Sequence, residues 1–181
     1  MVNMALYLSR PKRHFSYYVF AYQKGTKMTL NYWTVYLSGE IHTGWREEII
    51  SGAKSASLDV KFLSPVTDHG SSDDCGAAIL GKEEKSFWHD NKGAKVNAIR
   101  TRTLIDRSDV VVVRFGDKYR QWNAAFDAGY AAAMGKSIIT IHDPSLGHAL
   151  KEVDGAAMAV AETPNQVVRI LNYTINGRLA G

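Results

Sequence analysis

DVVVVRFGDKYRQWNAAFDAGYAAAMGKSIITIH, residues 109–142, decides the fold. Residues 109–115 are a near-continuous β-branched run, the composition of a strand buried on both faces. Residues 120–134 read as a helix that Gly135 stops, and residues 137–142 form a second buried strand. A helix joining two such strands is a βαβ unit, whose strands lie parallel.

The same alternation extends outward. WTVYL (33–37), VKFLSP (60–65) and AAMAVAE (156–162) supply three further strands. After the first comes a helix with Thr43 as its cap, Glu47 and Glu48 near its N-terminus, and an apolar stripe of Trp45, Ile49, Ala53 and Ala56. Further helices are expected at 96–107 and at 164–177, the latter capped by Thr163 with Pro164 in its first turn. The pattern predicts an α/β protein with a doubly wound, five-stranded parallel sheet and helices on both faces. Residues 67–95 break the rhythm and read as a long functional or mobile excursion, with Phe87, Trp88 and His89 either covering a ligand or pinning it down.

Composition narrows the class. A chain of 181 residues with 45% apolar and 22% charged residues is long enough for one ordinary core. Its net charge of +4 is local: Arg10, Lys12, Arg13, Lys24 and Lys27 stand in a segment without acids, leaving 17 basic residues against 18 acidic ones. Residues 28–181 are therefore not a nucleic-acid binder by charge, and residues 1–27 read as a basic extension, disordered or outside the domain. No run reaches the roughly 18 apolar residues of a membrane span. The single cysteine, Cys75, suits a reducing cytoplasm.

Chemistry is bounded by elimination and by placement. No dinucleotide glycine fingerprint, Walker loop, HExxH pair or GxSxG elbow occurs, so neither a metal nor a cofactor is expected. In parallel sheets, ligands bind beyond the C-terminal ends of the strands. Those ends carry Ser38-Gly39-Glu40, Asp68-His69, Gly116-Asp117-Lys118 and His142-Asp143, and the helix bearing Asp127 opens on the same rim. On that helix Trp122, Phe126, Gly129 and Ala133 form the stripe expected to pack on the sheet, with Gly129 allowing close approach. Arg120, Asn123, Asp127 and Tyr130 form the neighbouring stripe, a pattern that by itself leaves Asp127 equally an ordinary surface acid. Carboxylates at this rim suit glycosidic chemistry, in which one attacks the anomeric carbon and a second group handles the proton. Asp127 is the candidate nucleophile, Glu40 and then Asp117 the acid–base candidates, and Tyr36 or Tyr130 a phenol to orient the nucleophile.

YLSG at 36–39, Ser-Asp before the strand at 108–113 and DAGYAAAMGK at 127–136 resemble the nucleoside 2-deoxyribosyltransferase-like superfamily. SGEIHTGWREEI with GDKYRQWNAAFDAGYA is more closely similar to its YtoQ-type branch, over a stretch from about residue 33 onward. The resemblance implies a flavodoxin-like fold, exchange or hydrolysis at the N-glycosidic bond of a nucleoside or nucleotide, and a homodimer or larger homo-oligomer. It puts the nucleophile at Asp127, where the family has Glu, and the first-strand tyrosine at Tyr36, with Gly39 in the turn where substrate meets backbone. Ser38, Asp117, Lys118, Arg120, Trp122 and Asn123 complete the expected substrate site. Lys118 and Arg120 anticipate an anionic ligand near a helix N-terminus, and Trp122 is either a stacking platform or core. The alternative is a non-catalytic nucleotide- or sugar-binding module on the same fold.

Overall fold

The computed structural model describes residues 20–21, 28–29, 32–118 and 121–179. They belong to two units, Met1–Asn31 and Tyr32–Gly181. In the first, β1 (Phe20–Ala21) pairs antiparallel with β2 (Met28–Thr29). The remainder of the basic segment, and Arg120, lie outside the described residues.

The second unit runs β3 (Trp33–Gly39), α1 (Trp45–Ser55), β4 (Val60–Leu63), α2 (His69–Leu80), α3 (Ser86–Asp106), β5 (Val110–Arg114) and α4 (Trp122–Ala133). It continues through β6 (Ser137–Ile141), α5 (Gly147–Gly155), β7 (Ala159–Ala161) and α6 (Pro164–Asn176). All sheet pairings in this unit are parallel, in the order β4-β3-β5-β6-β7. Counted within the sheet, that is the doubly wound flavodoxin-like order, with its switch point between β3 and β5. Gly39 stands opposite Arg114 there.

The pleat divides the core. Val110 and Val112 join Val35, Leu37, Trp45, Ile49, Val167 and Leu171 on the face covered by α1 and α6. Val111, Val113 and Phe115 join Tyr36, Ile105, Ala124, Ala128 and Ala131 on the face covered by α3 and α4. Thr163 caps α6 as expected, and the structure extends this to a capping box with Gln166.

Three local expectations are corrected. Residues 67–95 are not an irregular excursion: α2 and the first half of α3 make a helical hairpin. Asp68 caps α2 by accepting from Ser71 N at 2.8 Å. The two backbones cross so closely at Gly76 and Gly93 that a Cβ on Gly76 would lie 2.2 Å from Gly93 N. Glycines and small polar residues make that contact, so no apolar period announces it. Phe87 and Trp88 do not pin the hairpin; both are exposed. Nor does Thr43 cap α1, which has no side-chain cap, because its hydroxyl donates to Glu40 Oε2 at 2.6 Å. Among the described residues, no helix is long and apolar enough to cross a membrane.

Candidate active site

Helix α4 is turned differently from the expected packing. Its buried residues are Ala124, Ala128 and Ala131, while Trp122 is 70% and Phe126 61% exposed. A Cβ on Gly129 would meet nothing within 4 Å, so Gly129 serves no close approach. Alanines let a helix lie near the sheet where Trp and Phe would hold it away. Asp127 falls among these alanines, on the face turned to β3.

Burial gives Asp127 its character. Ser38, fully buried near the end of β3, donates from Oγ to Asp127 Oδ2 at 2.6 Å. Burial pushes the Asp127 carboxyl above the ordinary carboxylate range, and the Ser38 hydroxyl pulls it back. Keeping a carboxyl in that place costs the fold energy, and groups perturbed in this way cluster at functional sites. Two residues earlier on the same pleat, Tyr36 is completely buried, and its phenol is pushed up to about 12 by burial, with Asp127 adding to the shift. Thr101 on α3 stands near enough to soften that shift, yet no hydrogen bond closes on Tyr36 Oη. An unpaired buried hydroxyl is rare and calls for a partner. Beside them, the Arg102 guanidinium lies 5.6 Å from the centre of the Tyr130 ring.

The turn after β3 is built as a rigid unit. Gly39 adopts φ +102°, and a Cβ there would lie 2.1 Å from Arg114 O. Arg46, buried on α1, donates from Nε to Leu37 O (3.1 Å), from Nη1 to Glu40 O (2.6 Å) and from Nη2 to Gly39 O (2.9 Å). Trp45 Nε1 also donates to Glu40 O at 2.8 Å, and the guanidinium stacks over the Trp45 ring. Burial lowers Arg46 from its ordinary value while the Glu40 carboxylate opposes this; guanidinium remains charged regardless. Glu40 is buried, with Oε1 accepting from His42 N and Oε2 from Thr43. Its carboxylate thus serves the turn itself.

Across the rim, Gln121 occupies the start of α4 at φ +44°. Its side chain accepts from Gly116 N at 3.0 Å and donates to Lys118 O at 2.8 Å, which fixes the loop carrying Asp117 and Lys118. Both of those residues are exposed, as is Asn123. One strand along, His142 Nε2 lies 3.0 Å from Asp154 Oδ2, and Thr140 donates to Asp154 Oδ1 at 2.8 Å, tying β6 to α5. The Ser-Asp and Gly-Lys motifs prove structural. Asp109 Oδ2 accepts from Thr34 N at 2.8 Å, and Lys136 Nζ donates to Asp106 O at the end of α3. Among the described residues, no group of three or more His, Cys, Asp or Glu could hold a metal ion.

The structure thus brings Tyr36, Ser38 and Asp127 together, with Gly39 and Glu40 in the adjoining turn. Arg46, Gln121 and Thr101 belong to this neighbourhood without having been singled out from sequence. A family profile described as "Nucleoside 2-deoxyribosyltransferase YtoQ" matches residues 36–175. The "uncharacterized protein YtoQ" of Bacillus subtilis (strain 168) is 44% identical over 139 residues, covering 77% of this chain and 94% of that protein. Among solved structures, a conserved protein from Enterococcus faecalis V583 superposes with a TM-score of 0.57 at 12% identity, over 79% of this chain and 99% of the other. A 2-deoxyribosyltransferase from Bacillus psychrosaccharolyticus superposes with a TM-score of 0.45 at 17% identity, over 75% and 90%.

Proposed function

The chain belongs to the nucleoside 2-deoxyribosyltransferase YtoQ family, and from that premise we propose that it acts on the N-glycosidic bond of a nucleoside or nucleotide through Asp127. The observation that carries this reading is the Asp127 carboxyl, half-buried among alanines beside the end of β3 and raised by that burial. In the proposed step an Asp127 oxygen bonds to the anomeric carbon as the carbon–nitrogen bond breaks. The bond's electron pair leaves with the base, which takes a proton from water or from Asp117 at the rim. A second base, or water, then attacks the same carbon, returns one proton to water or to the Asp117 carboxylate, and releases the Asp127 carboxylate. Tyr36 supports the reading because its phenol is completely buried on the same pleat as Ser38 and feels the Asp127 charge, which adds to its upward shift. Glu40 is assigned to holding the turn, since both its oxygens are engaged there.

The exposed Trp122 and Phe126 lie on the helix that carries Asp127. An apolar stripe of this kind supports the assignment of a homo-oligomer whose contact runs along α4. A cytoplasmic location belongs to the same proposal.

One observation favours the non-catalytic module instead: burial and Ser38 account for the Asp127 shift, with no second carboxylate acting on it. The two readings separate in one experiment. The protein is incubated with a 2′-deoxynucleoside and a free base, and in parallel with the deoxynucleoside monophosphate, while base release and exchange are followed. Turnover that disappears in Asp127→Ala supports the enzyme. Binding without turnover supports the module, and turnover that survives Asp127→Ala rules out the nucleophile.

A further inference from the structure

We propose that Ser38 is the positioning residue of Asp127: its buried hydroxyl anchors one carboxylate oxygen and presents the other to the sugar. This rests on Asp127 being the nucleophile. Ser38 sits on β3, 89 residues away in sequence, and is completely buried. A polar side chain in that place costs free energy unless it is bonded, and the 2.6 Å bond to Asp127 Oδ2 is what the hydroxyl makes. The donor fixes the carboxylate's rotation and distinguishes its two oxygens. Oδ2 is held toward the sheet, and Oδ1 receives no hydrogen bond from the described residues.

The same bond has an electrostatic effect. Donation to the ionised form favours it, and the Ser38 bond opposes the upward push of burial. A nucleophilic carboxylate must be ionised to attack, so the hydroxyl both aims the group and keeps it available. Chain length enters as well. A glutamate at 127 would extend by about 1.5 Å, one carbon–carbon bond, into space already closed by Ser38 Oγ at 2.6 Å. Ser38 and the short acid therefore form a matched pair, and changes at the two positions are coupled.

The test needs no known substrate for its first arm. The carboxyl carbon of Asp127 is followed by NMR through a pH titration in protein carrying labelled aspartate, with Asp127→Asn identifying the signal. Ser38→Ala moves the titration upward, Ser38→Thr leaves it near wild type, and Ser38→Cys, with its weaker donor, falls between, so a poorly folded alanine variant does not end the test. In the second arm, base release from 2′-deoxyadenosine falls about tenfold in kcat for Ser38→Ala, the loss of one charge-assisted bond, with KM within about twofold. Asp127→Glu is less active alone than combined with Ser38→Ala. An Asp127 titration unmoved in Ser38→Ala, or equal effects of Asp127→Glu in both backgrounds, overturns the proposal. If Asp127→Asn abolishes release while Ser38→Ala changes neither arm, anchoring fails and the nucleophile stands. If no base is released while Ser38→Ala still moves the titration, the nucleophile fails and the anchoring stands.

Discussion

Gly39→Ala is the sharpest probe of the rim. At φ +102° the residue occupies a backbone region that side chains rarely enter, and its Cβ would lie 2.1 Å from Arg114 O, 2.8 Å from Arg114 N and 2.9 Å from Arg114 C. All three atoms are backbone of the neighbouring strand, so no side chain can swing aside. Holding alanine in that conformation costs about 1–3 kcal/mol. Relieving the clash moves the strand ends apart and breaks the bond from Glu40 N to Arg114 O, 3.1 Å long, worth about 0.5–1.5 kcal/mol. The expected loss is therefore about 1.5–4.5 kcal/mol, read as a lower urea midpoint with an unchanged slope. Activity should fall further than stability does, because the Arg46 clamp holds the same turn through Gly39 O and Glu40 O. Gly129→Ala is the control: its Cβ meets nothing within 4 Å on an exposed helix surface, and it should stabilise by about 0.5–1 kcal/mol. A folded Gly39→Ala variant within about 0.5 kcal/mol of wild type refutes the reasoning.

Asp127→Asn should make the protein more stable at pH 7. The native carboxyl is raised above its ordinary value of 3.8, so the native state keeps this proton to higher pH than the unfolded chain does. Stability from the group is full below 3.8 and is lost as pH rises through the native value. Thermal melts across pH should therefore show the advantage of the asparagine growing with pH and vanishing in acid; a less stable asparagine variant at pH 7 contradicts this. Replacing Trp122 and Phe126 together with serine should lower the particle mass by light scattering, and an unchanged mass removes α4 as the self-contact. His142→Ala should cost about 1–3 kcal/mol by removing the His142 contact from a mostly buried Asp154, which Thr140 alone would then hold, and a change near zero in urea denaturation argues against the tie between β6 and α5.

The sheet was legible because its strands are nearly pure β-branched runs. VVVV at 110–113 and SIITI at 137–141 admit few other readings, and the alternation with helices fixed their parallel sense. What failed was rotation. In α4 the large apolar residues form the more conspicuous stripe, yet alanines face the sheet, because close helix–sheet approach favours small side chains. The spacing therefore sets Asp127 on the flank of the helix, whereas the structure turns it toward the sheet. The α2–α3 hairpin stayed hidden for a similar reason, since Gly76 and Gly93 pack backbone on backbone. Asp127 was legible as a candidate through its placement on the rim, and Tyr36 through the YLSG resemblance at the end of the first strand. The Ser38 bond and the Arg46 clamp were not, because each joins strand and helix atoms whose distance no linear spacing reveals. Glu40 illustrates the converse: an acid at the right strand end is bonded within its own turn.

The central claim is a covalent bond to Asp127. The direct measurement is intact-protein mass spectrometry after incubation with a 2′-deoxynucleoside that forms a slowly released sugar adduct, followed by peptide mapping. A covalent intermediate gives a mass increase of one deoxyribosyl group, located on the peptide carrying Asp127 and absent in Asp127→Asn. An adduct on another residue, or base release with an adduct that persists in Asp127→Asn, contradicts it.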